Sequence, residues 1–511
     1  MNAPVKLDRS RLDSALAMTP RSYELLIDGR WTKARGEETL ERVSPAHGVP
    51  VSTYARASTY EADLAISAAR TAFDQGQWRR LTASERSKIL LDVASLIERD
   101  AELIAMMDTL ESGKPIAQAR GEIAGAVDIW RYAAALARDL HGESFSNLGP
   151  HKLGVVVRDP IGVVSIITPW NFPFLIVSQK LPFALAAGCT AVVKPSELTS
   201  ASTLHLGNLL LEAGLPAGVV NILSGTGADV GAAMTSDARV DMISFTGSTR
   251  VGKSAMATAA NTLKKVSMEL GGKNPQIVFS DADLEAALDA AVFGAYFNAG
   301  ECCNAGSRLI IQRQIAESFV SELQQKVRHV KVGDPLDEDV RVGAIVTPDH
   351  LAKIEGYIAE AQEAGAEVKA GGTRLDHESG QFMAPTLVDG VKPQMTIARE
   401  EVFGPVLSVL TFETADEAIA IANSTEYGLS AGVWSKSFDT CLNVSRNIDA
   451  GTVWMNTFMD GASELPFGGY KQSGLGRELG RRAVDDYTEE KTLHFHSGPR
   501  TAWWVPRPSE T

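Results

Sequence analysis

Residues 162–193 read GVVSIITPWNFPFLIVSQKLPFALAAGCTAVV, and their pattern of apolar residues indicates the architecture more clearly than any other part of the chain. A β-branched run over residues 163–167 predicts a buried strand, residues 174–187 an apolar helix, and residues 190–193 a second strand. Because a helix between two strands joins them in parallel, the stretch predicts a βαβ unit. The alternation continues to residue 245, so we expect an α/β sheet covered by helices on both faces.

A second alternating series begins at residue 276 and runs to about residue 467. We therefore predict an α/β protein with two doubly wound parallel-sheet domains, the first of them Rossmann-like, and extended segments outside both sheets. Helical spacing of apolar residues further predicts one long amphipathic helix over residues 84–112. The predicted units are residues 1–140 with 159–270, residues 271–467, and the extended segments 141–158 and 486–511.

The composition argues against nucleic-acid and membrane partners. The chain has 511 residues, of which 44% are hydrophobic, and its net charge of −14 disfavours contacts with phosphates. Residues 160–179 carry no charge, and the segment is long enough to raise a membrane span as a possibility. Three prolines interrupt the segment and argue against such a span. No C-x-x-C pair supports a disulfide framework or a metal site, so reduced thiols and a cytoplasmic location are expected. The cysteines are Cys189, Cys302, Cys303 and Cys441.

Polar residues directly follow two of the predicted strands, at the edge where parallel sheets bind ligands. Asn171, within residues 168–173, offers an amide donor that could stabilise an oxyanion; a proline-rich turn with a capping Asn is the simpler alternative. Lys194 and Glu197 could hold ribose hydroxyls by donating and accepting hydrogen bonds. A solvated ion pair is the alternative for these two residues.

Two glycine-rich segments resemble phosphate-binding loops. Residues 225–231 are one residue longer than the dinucleotide fingerprint G-x-G-x-x-G, so a flexible turn is an equal alternative. Residues 247–254 match the phosphate loop G-x-x-x-x-G-K-[ST] and would let an NTPase place Lys253 on the terminal phosphates and Ser254 on magnesium. The position of this motif in the middle of a domain argues against an NTPase. The same helix N-terminus could bind the pyrophosphate of a dinucleotide.

Candidates for covalent chemistry lie further along the chain. Glu269, just before a glycine pair, is a candidate general base, with an ordinary charge beside a domain-linking turn as the alternative. Cys302 and Cys303 are adjacent and lie among small residues within the segment 297–308. Core packing explains two adjacent thiols poorly, and we expect one of them to act as a nucleophile.

Taken together and in this order, the motifs closely resemble the aldehyde dehydrogenase superfamily from about residue 22 to residue 495. EEVFGP at residues 400–405 and PFGGYKQSG at residues 466–474 extend the resemblance. The resemblance implies an enzyme that oxidises an aldehyde to the carboxylic acid through a thiohemiacetal and a thioester, with NAD as hydride acceptor. It also implies an NAD-binding first unit, a catalytic second unit, and a homodimer or homotetramer assembled through the extended element.

The family pattern sets the reactive cysteine three residues after a glycine, here Gly300, and so implies that Cys303 is the nucleophile and Cys302 a bystander. Asn171 and the backbone N–H of Cys303 would form the oxyanion hole, and Glu269 would activate water; no metal is implied. Lys194 and Glu197 would hold the adenosine ribose, Glu401 and Phe403 the nicotinamide end. The full set implied for the cofactor is Trp170, Lys194, Glu197, Gly227, Gly231, Gly247, Ser248, Glu401 and Phe403.

Departures from the family pattern bear on specificity. Glu301 stands where a Gln is common; if ionised near the nucleophile it would oppose thiolate formation, whereas a solvated surface position would make it harmless. A carboxylate at residue 197 would repel the 2′-phosphate of NADP, so NAD is favoured and NADP is the lesser alternative. The resemblance implies a substrate tunnel lined by Phe172, Gln179, Gly461 and Phe467, and we expect this tunnel to be wide or polar. The identity of the substrate stays open among aliphatic, aromatic, amino and betaine-like aldehydes.

Overall fold

The computed structural model describes residues 5–375, 380–499 and 504–505. Two large sheets made mainly of parallel strands, each flanked by helices, confirm the predicted α/β architecture. The two largest hydrophobic cores follow these sheets. Within the described residues, no helix is both long and apolar enough to span a membrane.

The first sheet has eight strands, and its five central strands are parallel. The side chains of these central strands are mostly buried, as expected where helices cover both faces. In spatial order the strands are Gly474–Leu475, Lys265–Glu269, Met242–Thr246, Val163–Ile167, Thr190–Lys194, Val220–Ile222, Leu25–Ile27 and Arg30–Thr32. The helices of this part are Thr59–Asp74, Ala83–Arg99, Ala101–Ser112, Ile116–Asp139, Pro173–Ala187, Ala201–Glu212, Ala232–Ser236, Thr249–Ala259 and Gly480–Asp486.

The single long helix predicted over residues 84–112 is wrong, because the structure has two helices that meet at Asp100. The φ and ψ angles of Asp100 are −97° and 14°, which do not continue the helix. Its carboxylate accepts a hydrogen bond from Arg99 at 2.7 Å and contacts His205 Nε2 at 2.8 Å. Asp side chains favour such bonds over helix interiors, so a tertiary contact ends the helix where the apolar spacing continues.

The second sheet has seven strands, all parallel except the edge strand Glu367–Ala370. In spatial order the strands are Glu367–Ala370, Thr386–Asp389, Val406–Phe412, Arg308–Gln312, Pro275–Val278, Ser430–Trp434 and Thr452–Met455. The accompanying helices are Leu284–Tyr296, Arg313–Arg328, Pro348–Glu363, Thr396–Arg399, Ala415–Asn423 and Phe438–Asn447.

A three-stranded antiparallel sheet lies outside the two large ones, where extended segments are predicted. Its strands are Glu143–Phe145, Lys152–Pro160 and Thr488–His496, and the last two pair along their whole length. The smaller elements are the strands Ser22–Tyr23, Thr39–Val43, Pro50–Ala55, Tyr427–Gly428 and Tyr470–Lys471, the helix Arg9–Met18, and the short turns Trp78–Arg80, Gly227–Gly231, Ala260–Thr262 and Phe297–Gly300.

The chain returns to the first sheet after the second sheet is complete. Gly474–Leu475 pairs antiparallel with Met268 and Glu269. The predicted second unit ends at residue 467, so this strand lies outside both predicted units. The return places Gly468 beside Glu269, where an added Cβ would lie 2.7 Å from Glu269 Oε1. Segments from both sheets therefore meet at the carboxyl end of the Lys265–Glu269 strand.

Candidate active site

The loop that carries the two adjacent thiols has an unusual backbone. Asn298, Ala299 and Gly300 have φ angles of 52°, 55° and 70°, three left-handed residues in succession. A Cβ on Gly300 would lie 2.1 Å from the carbonyl oxygen of Gly404, so only glycine fits at this point. The turn ends the Leu284–Tyr296 helix and leads directly into the two cysteines.

Cys303 is the more accessible of the two thiols, because Cys302 is buried and Cys303 is half-buried. Cys302 Sγ donates a hydrogen bond to Asn304 Oδ1 at 2.7 Å. The carbonyl oxygen of Cys303 accepts one from Asn274 Nδ2 at 2.9 Å. A Cβ on Gly272 would lie 2.4 Å from that same carbonyl oxygen, so the glycine lets two backbones approach closely.

The surroundings of Cys303 favour the neutral thiol. Contact with Cys302, burial and the negative charge of Glu401 together raise the pKa of the Cys303 thiol well above its usual value. Since the thiolate is the reactive form, the Cys303 thiol must lose its proton before it can act as a nucleophile.

Glu269 ends its strand with a carboxylate that has no partner. Both of its side-chain oxygens are buried and lack a hydrogen bond within the described part of the chain. Burial, followed by the negative charge of Glu478, raises the pKa of Glu269 well above its usual value, and the charge of a Cys303 thiolate acts in the same direction. Lys180 opposes this shift and is itself paired with Glu478 in the buried interior. A buried carboxyl without a partner is poised to exchange a proton with a reactant.

Glu401 occupies the other side of the glycine pair. Its Oε1 accepts the backbone N–H of Gly272 at 3.0 Å, and a Cβ on Gly271 would lie 2.3 Å from its Oε2. Burial raises the pKa of Glu401 to about 7, against the opposing charges of Lys273 and Lys353. The Gly271–Gly272 pair thus brings Glu401 and Cys303 into one buried site.

Asn171 lies against the loop of residues 298–303, which carries the two thiols and is called the catalytic loop below, rather than in an isolated turn. Its Nδ2 donates to the carbonyl oxygen of Glu301 at 3.0 Å. Asn298 Nδ2 donates to that oxygen at 2.9 Å and to the carbonyl oxygen of Asn171 at 3.0 Å. The amide group of Asn171 is therefore held against the backbone of Glu301, which precedes Cys303 by two residues. Asn298 helps to hold it, and the sequence analysis did not single out Asn298.

The structure contradicts the solvated surface position considered for Glu301. Its side chain is buried, with 2% of the residue exposed, so it is not solvated. Its Oε1 accepts the backbone N–H of Val346 at 3.0 Å. Burial raises the pKa of Glu301 well above its usual value, which favours the neutral acid over a charge that would oppose the thiolate.

The aromatic rings of Trp170, His350 and Phe403 pack against one another, and Phe403 lies next to Glu401 in the sequence but for one residue. Phe403 has a φ of 57°, and its ring centroid lies 5.4 Å from that of Trp170 in an edge-to-face arrangement. The His350 ring lies 5.7 Å from Trp170 and 6.0 Å from Phe403, and His350 Nε2 lies 2.6 Å from the carbonyl oxygen of Phe403. Sequence reasoning missed His350, because only the fold brings residue 350 next to residues 170 and 403.

Lys194 and Glu197 form an ion pair at 3.3 Å. The Lys194 side chain is buried and that of Glu197 is 42% exposed, so the carboxylate remains accessible from solvent. Gly231 is close to Lys194, since an added Cβ would lie 3.9 Å from Lys194 Cδ, whereas Gly227 faces open space. Of the two predicted glycines, only Gly231 lies beside the ion pair.

The phosphate-loop interpretation of residues 247–254 is wrong. The helix already begins at Thr249, with the Ser248 hydroxyl accepting the N–H of Val251, and the N–H of Gly252 bonds to the carbonyl of Ser248. These N–H groups cannot wrap around phosphates, as a phosphate loop requires. Lys253 points to Gln472 Oε1 at 2.6 Å. Gly247 and Ser248 instead connect a parallel strand to a helix N-terminus.

An aromatic pair flanks the catalytic loop on the substrate side expected from the sequence. Phe172 stacks on Phe297 with ring centroids 6.2 Å apart, and Phe172 belongs to an apolar cluster with Ile176 and Cys302. Sequence reasoning missed Phe297, which lies outside the predicted pocket set. Among the predicted residues, Gln179 and Phe467 are half-buried, and Gly461 is exposed with no atom within 4 Å of an added Cβ.

The chain belongs to the aldehyde dehydrogenase family, whose family model matches residues 31–493. It is 41% identical to the betaine aldehyde dehydrogenase of Bacillus subtilis over 94% of this chain and 99% of the relative. The solved NAD-dependent aldehyde dehydrogenase of Sinorhizobium meliloti is 49% identical, with a TM-score of 0.95 over 96% of this chain and 98% of that one. The betaine aldehyde dehydrogenase of Staphylococcus aureus in complex with NAD+ is 37% identical, with a TM-score of 0.95 over 97% and 100%.

Proposed function

We propose that this protein is an NAD-dependent aldehyde dehydrogenase that oxidises an aldehyde to the carboxylic acid through Cys303. The observation that supports this most strongly is the buried site around Gly271–Gly272. There a half-buried thiol, the unpartnered carboxyl of Glu269 and the carboxyl of Glu401 come together. A nucleophile, a base and a cofactor anchor are what this oxidation requires of the protein.

In the first half of the reaction, Cys303 releases its proton to solvent and its sulfur adds to the aldehyde carbon. The oxygen of the resulting thiohemiacetal carries the negative charge and accepts hydrogen bonds from Asn171 Nδ2 and the N–H of Cys303. NAD supplies the hydride acceptor when bound. Loss of the hydride turns the thiohemiacetal into a thioester on Cys303.

In the second half, Glu269 takes a proton from a water molecule, which attacks the thioester carbon. The carbon–sulfur bond breaks, the carboxylate leaves and the Cys303 sulfur is released. The raised pKa of Glu269 suits this role, because a carboxyl with an ordinary pKa would be a weak base near neutral pH.

Residues along the cofactor edge fit a dinucleotide. The buried hydroxyls of Thr168 and Thr246 lie at the carboxyl ends of two parallel strands and have no hydrogen-bond partner within the described residues. Such an edge is where open α/β sheets bind nucleotides. Glu197 would accept bonds from the adenosine ribose and Glu401 from the nicotinamide ribose, and the charge of Glu197 favours NAD over NADP.

We also propose a homodimer or homotetramer assembled through the three-stranded antiparallel sheet, and a cytoplasmic enzyme. This sheet leaves apolar side chains exposed that a second copy would cover. The exposed residues are Phe145, Leu148, Leu153, Leu493 and Phe495. Light scattering that finds only monomers at assay concentration would contradict the assembly.

The activity is tested by following NADH formation with a panel of aldehydes for the wild type, Cys303→Ala, Cys302→Ala and Lys253→Ala. We expect only Cys303→Ala to abolish the reaction. Equal loss in Cys302→Ala would contradict the choice of nucleophile. Wild-type protein that oxidises no aldehyde would contradict the function itself.

A further inference from the structure

An apolar groove opens on the surface beside the catalytic loop. It lies between the start of the Ile116–Asp139 helix, the Leu284–Tyr296 helix and the segment 330–342, and it has a volume of about 440 Å³. A volume of this size is within the range of small-molecule sites, roughly 300 to 1,000 Å³. Its apolar walls include Pro115, Val292, Phe293, Val330, Val340 and Val342. We call this feature the outer groove.

The outer groove ends on a ring that belongs to the substrate side of the active site. Phe297 lines the groove and also stacks on Phe172, which clusters with Cys302 next to the nucleophile. Phe293, which is 42% exposed, lies 5.1 Å from Phe297 between ring centroids. Three aromatic rings in successive contact thus connect the neighbour of Cys303 to the wall of the groove.

The helix that borders the groove has two glycines on its face beyond Ala117. Gly121 and Gly125 lie one helical turn apart on the Ile116–Asp139 helix, beyond Ala117 at the groove. An added Cβ on Gly121 would meet no atom within 4 Å, and on Gly125 only Leu175 Cδ1 at 3.9 Å. This face of the helix therefore carries no side chain at two positions beyond Ala117.

The charges near the rings and the groove disfavour a cationic substrate. Lys114 Nζ lies 4.4 Å from the centroid of Phe172, and Lys114 is buried with Glu122 as its ion-pair partner. A quaternary ammonium group is recognised by free aromatic faces, but one face of Phe172 already holds a cation. At the groove, Asp289 is paired with Lys326, so the described residues of its lining offer no unpaired carboxylate for an ammonium group.

We propose that the outer groove binds the apolar tail of a long, uncharged aldehyde whose carbonyl carbon lies at Cys303. This inference rests on the proposed aldehyde dehydrogenase activity and names its substrate class. Each methylene group that moves from water onto the groove walls contributes a transfer free energy of about 0.8 kcal/mol, which corresponds to about a fourfold gain in kcat/KM.

The test compares kcat/KM for straight-chain aldehydes from propanal to decanal in three proteins. Ala117→Trp fills the groove from an exposed position, and Ala135→Trp places the same side chain at an exposed position of the same helix away from the groove. We expect kcat/KM of the wild type and Ala135→Trp to keep rising from hexanal to decanal. In Ala117→Trp this rise should disappear while propanal is oxidised at the wild-type rate.

The results that contradict the proposal differ from those that contradict the activity. A wild type that gains nothing beyond hexanal, or that prefers betaine aldehyde to decanal, overturns the tail site and leaves aldehyde oxidation intact. An Ala117→Trp protein that loses activity equally with all aldehydes and changes its oligomeric state in light scattering makes the groove a subunit contact, which also overturns it. Loss of NADH formation with every aldehyde in the wild type would instead remove the proposed function.

Discussion

Glu301 precedes the proposed nucleophile by two residues, and its side chain accepts a hydrogen bond from the backbone N–H of Val346 at 3.0 Å. The carbonyl oxygen of Val346 in turn accepts a hydrogen bond from Arg42, whose guanidinium also bonds to the carbonyl oxygen of Glu111. The catalytic loop is thereby joined to the segment before the Pro348–Glu363 helix and to the first unit. Burial raises the pKa of Glu301 well above its usual value, which favours the neutral acid, and His350 Nε2 lies 3.9 Å from Glu301 Oε1.

Glu301→Gln should therefore behave like the wild type. A Gln carbonyl can accept the same N–H, and burial favours the uncharged form of Glu301, so we expect kcat within about twofold and an unchanged pH profile of kcat/KM. Glu301→Ala leaves a buried N–H unsatisfied, which costs about 1–3 kcal/mol, and should lower the free energy of unfolding by that amount. A Gln variant with a shifted pH profile would mean that Glu301 is ionised.

NAD binding should strengthen as the pH rises through about 7. Ribose hydroxyls donate to an ionised carboxylate, and burial raises the pKa of Glu401 to about 7, so below that value the proton must first leave. The Kd for NAD, measured by calorimetry, should rise up to about tenfold for each pH unit below the pKa. The same titration with Glu401→Gln should give a Kd with no such dependence, and an equally steep dependence in that variant would assign the effect to another group.

Gly272→Ala should damage both stability and activity. The added Cβ would lie 2.4 Å from the carbonyl oxygen of Cys303, so the backbone of the catalytic loop must shift. We expect a loss of about 1–3 kcal/mol in unfolding free energy, as for other overpacked sites, and a much lower kcat. Gly356→Ala is the matched control, because its Cβ meets no atom within 4 Å and the change in mid-helix should stabilise by about 0.5–1 kcal/mol. Equal kcat in both variants would contradict the close approach.

Gln179→Trp should narrow the substrate pocket. Gln179 is half-buried on the Pro173–Ala187 helix, where the family resemblance implies a tunnel wall, and an indole would fill space that a bulky aldehyde needs. The ratio of kcat/KM for a bulky aldehyde to that for a small one should fall, while Gln362→Trp, on an exposed helix end, leaves the ratio unchanged. An unchanged ratio in Gln179→Trp would remove Gln179 from the pocket.

Local patterns in the sequence predict the local structure well. The strands around Val163 and Thr190 and the helix between them follow from β-branched and apolar runs, and the structure confirms them within one residue at most ends. The break at Asp100 does not follow from such patterns, because it depends on contact with His205, which is distant in sequence. The return strand Gly474–Leu475 is likewise too short to carry a pattern and exists through its partner strand.

The candidate site shows the same division. Order and spacing of the motifs single out Cys303, Glu269 and Glu401, and the structure brings these residues together around one glycine pair. The burial of Glu301 and the position of His350 do not follow from the sequence, because each is set by residues some fifty positions away along the chain.

The most direct test of the account is to trap the acyl intermediate in Glu269→Gln. With an aldehyde and NAD, this variant should form about one NADH per subunit in a rapid burst and then stop, because water is no longer activated. Mass spectrometry of the quenched protein should find the acyl group on the peptide that contains residues 302 and 303. With Cys302→Ala in the same variant, the adduct should persist on Cys303. An adduct that disappears with Cys302→Ala, or a burst without any adduct, would contradict the assignment of Cys303 as the thioester-forming nucleophile.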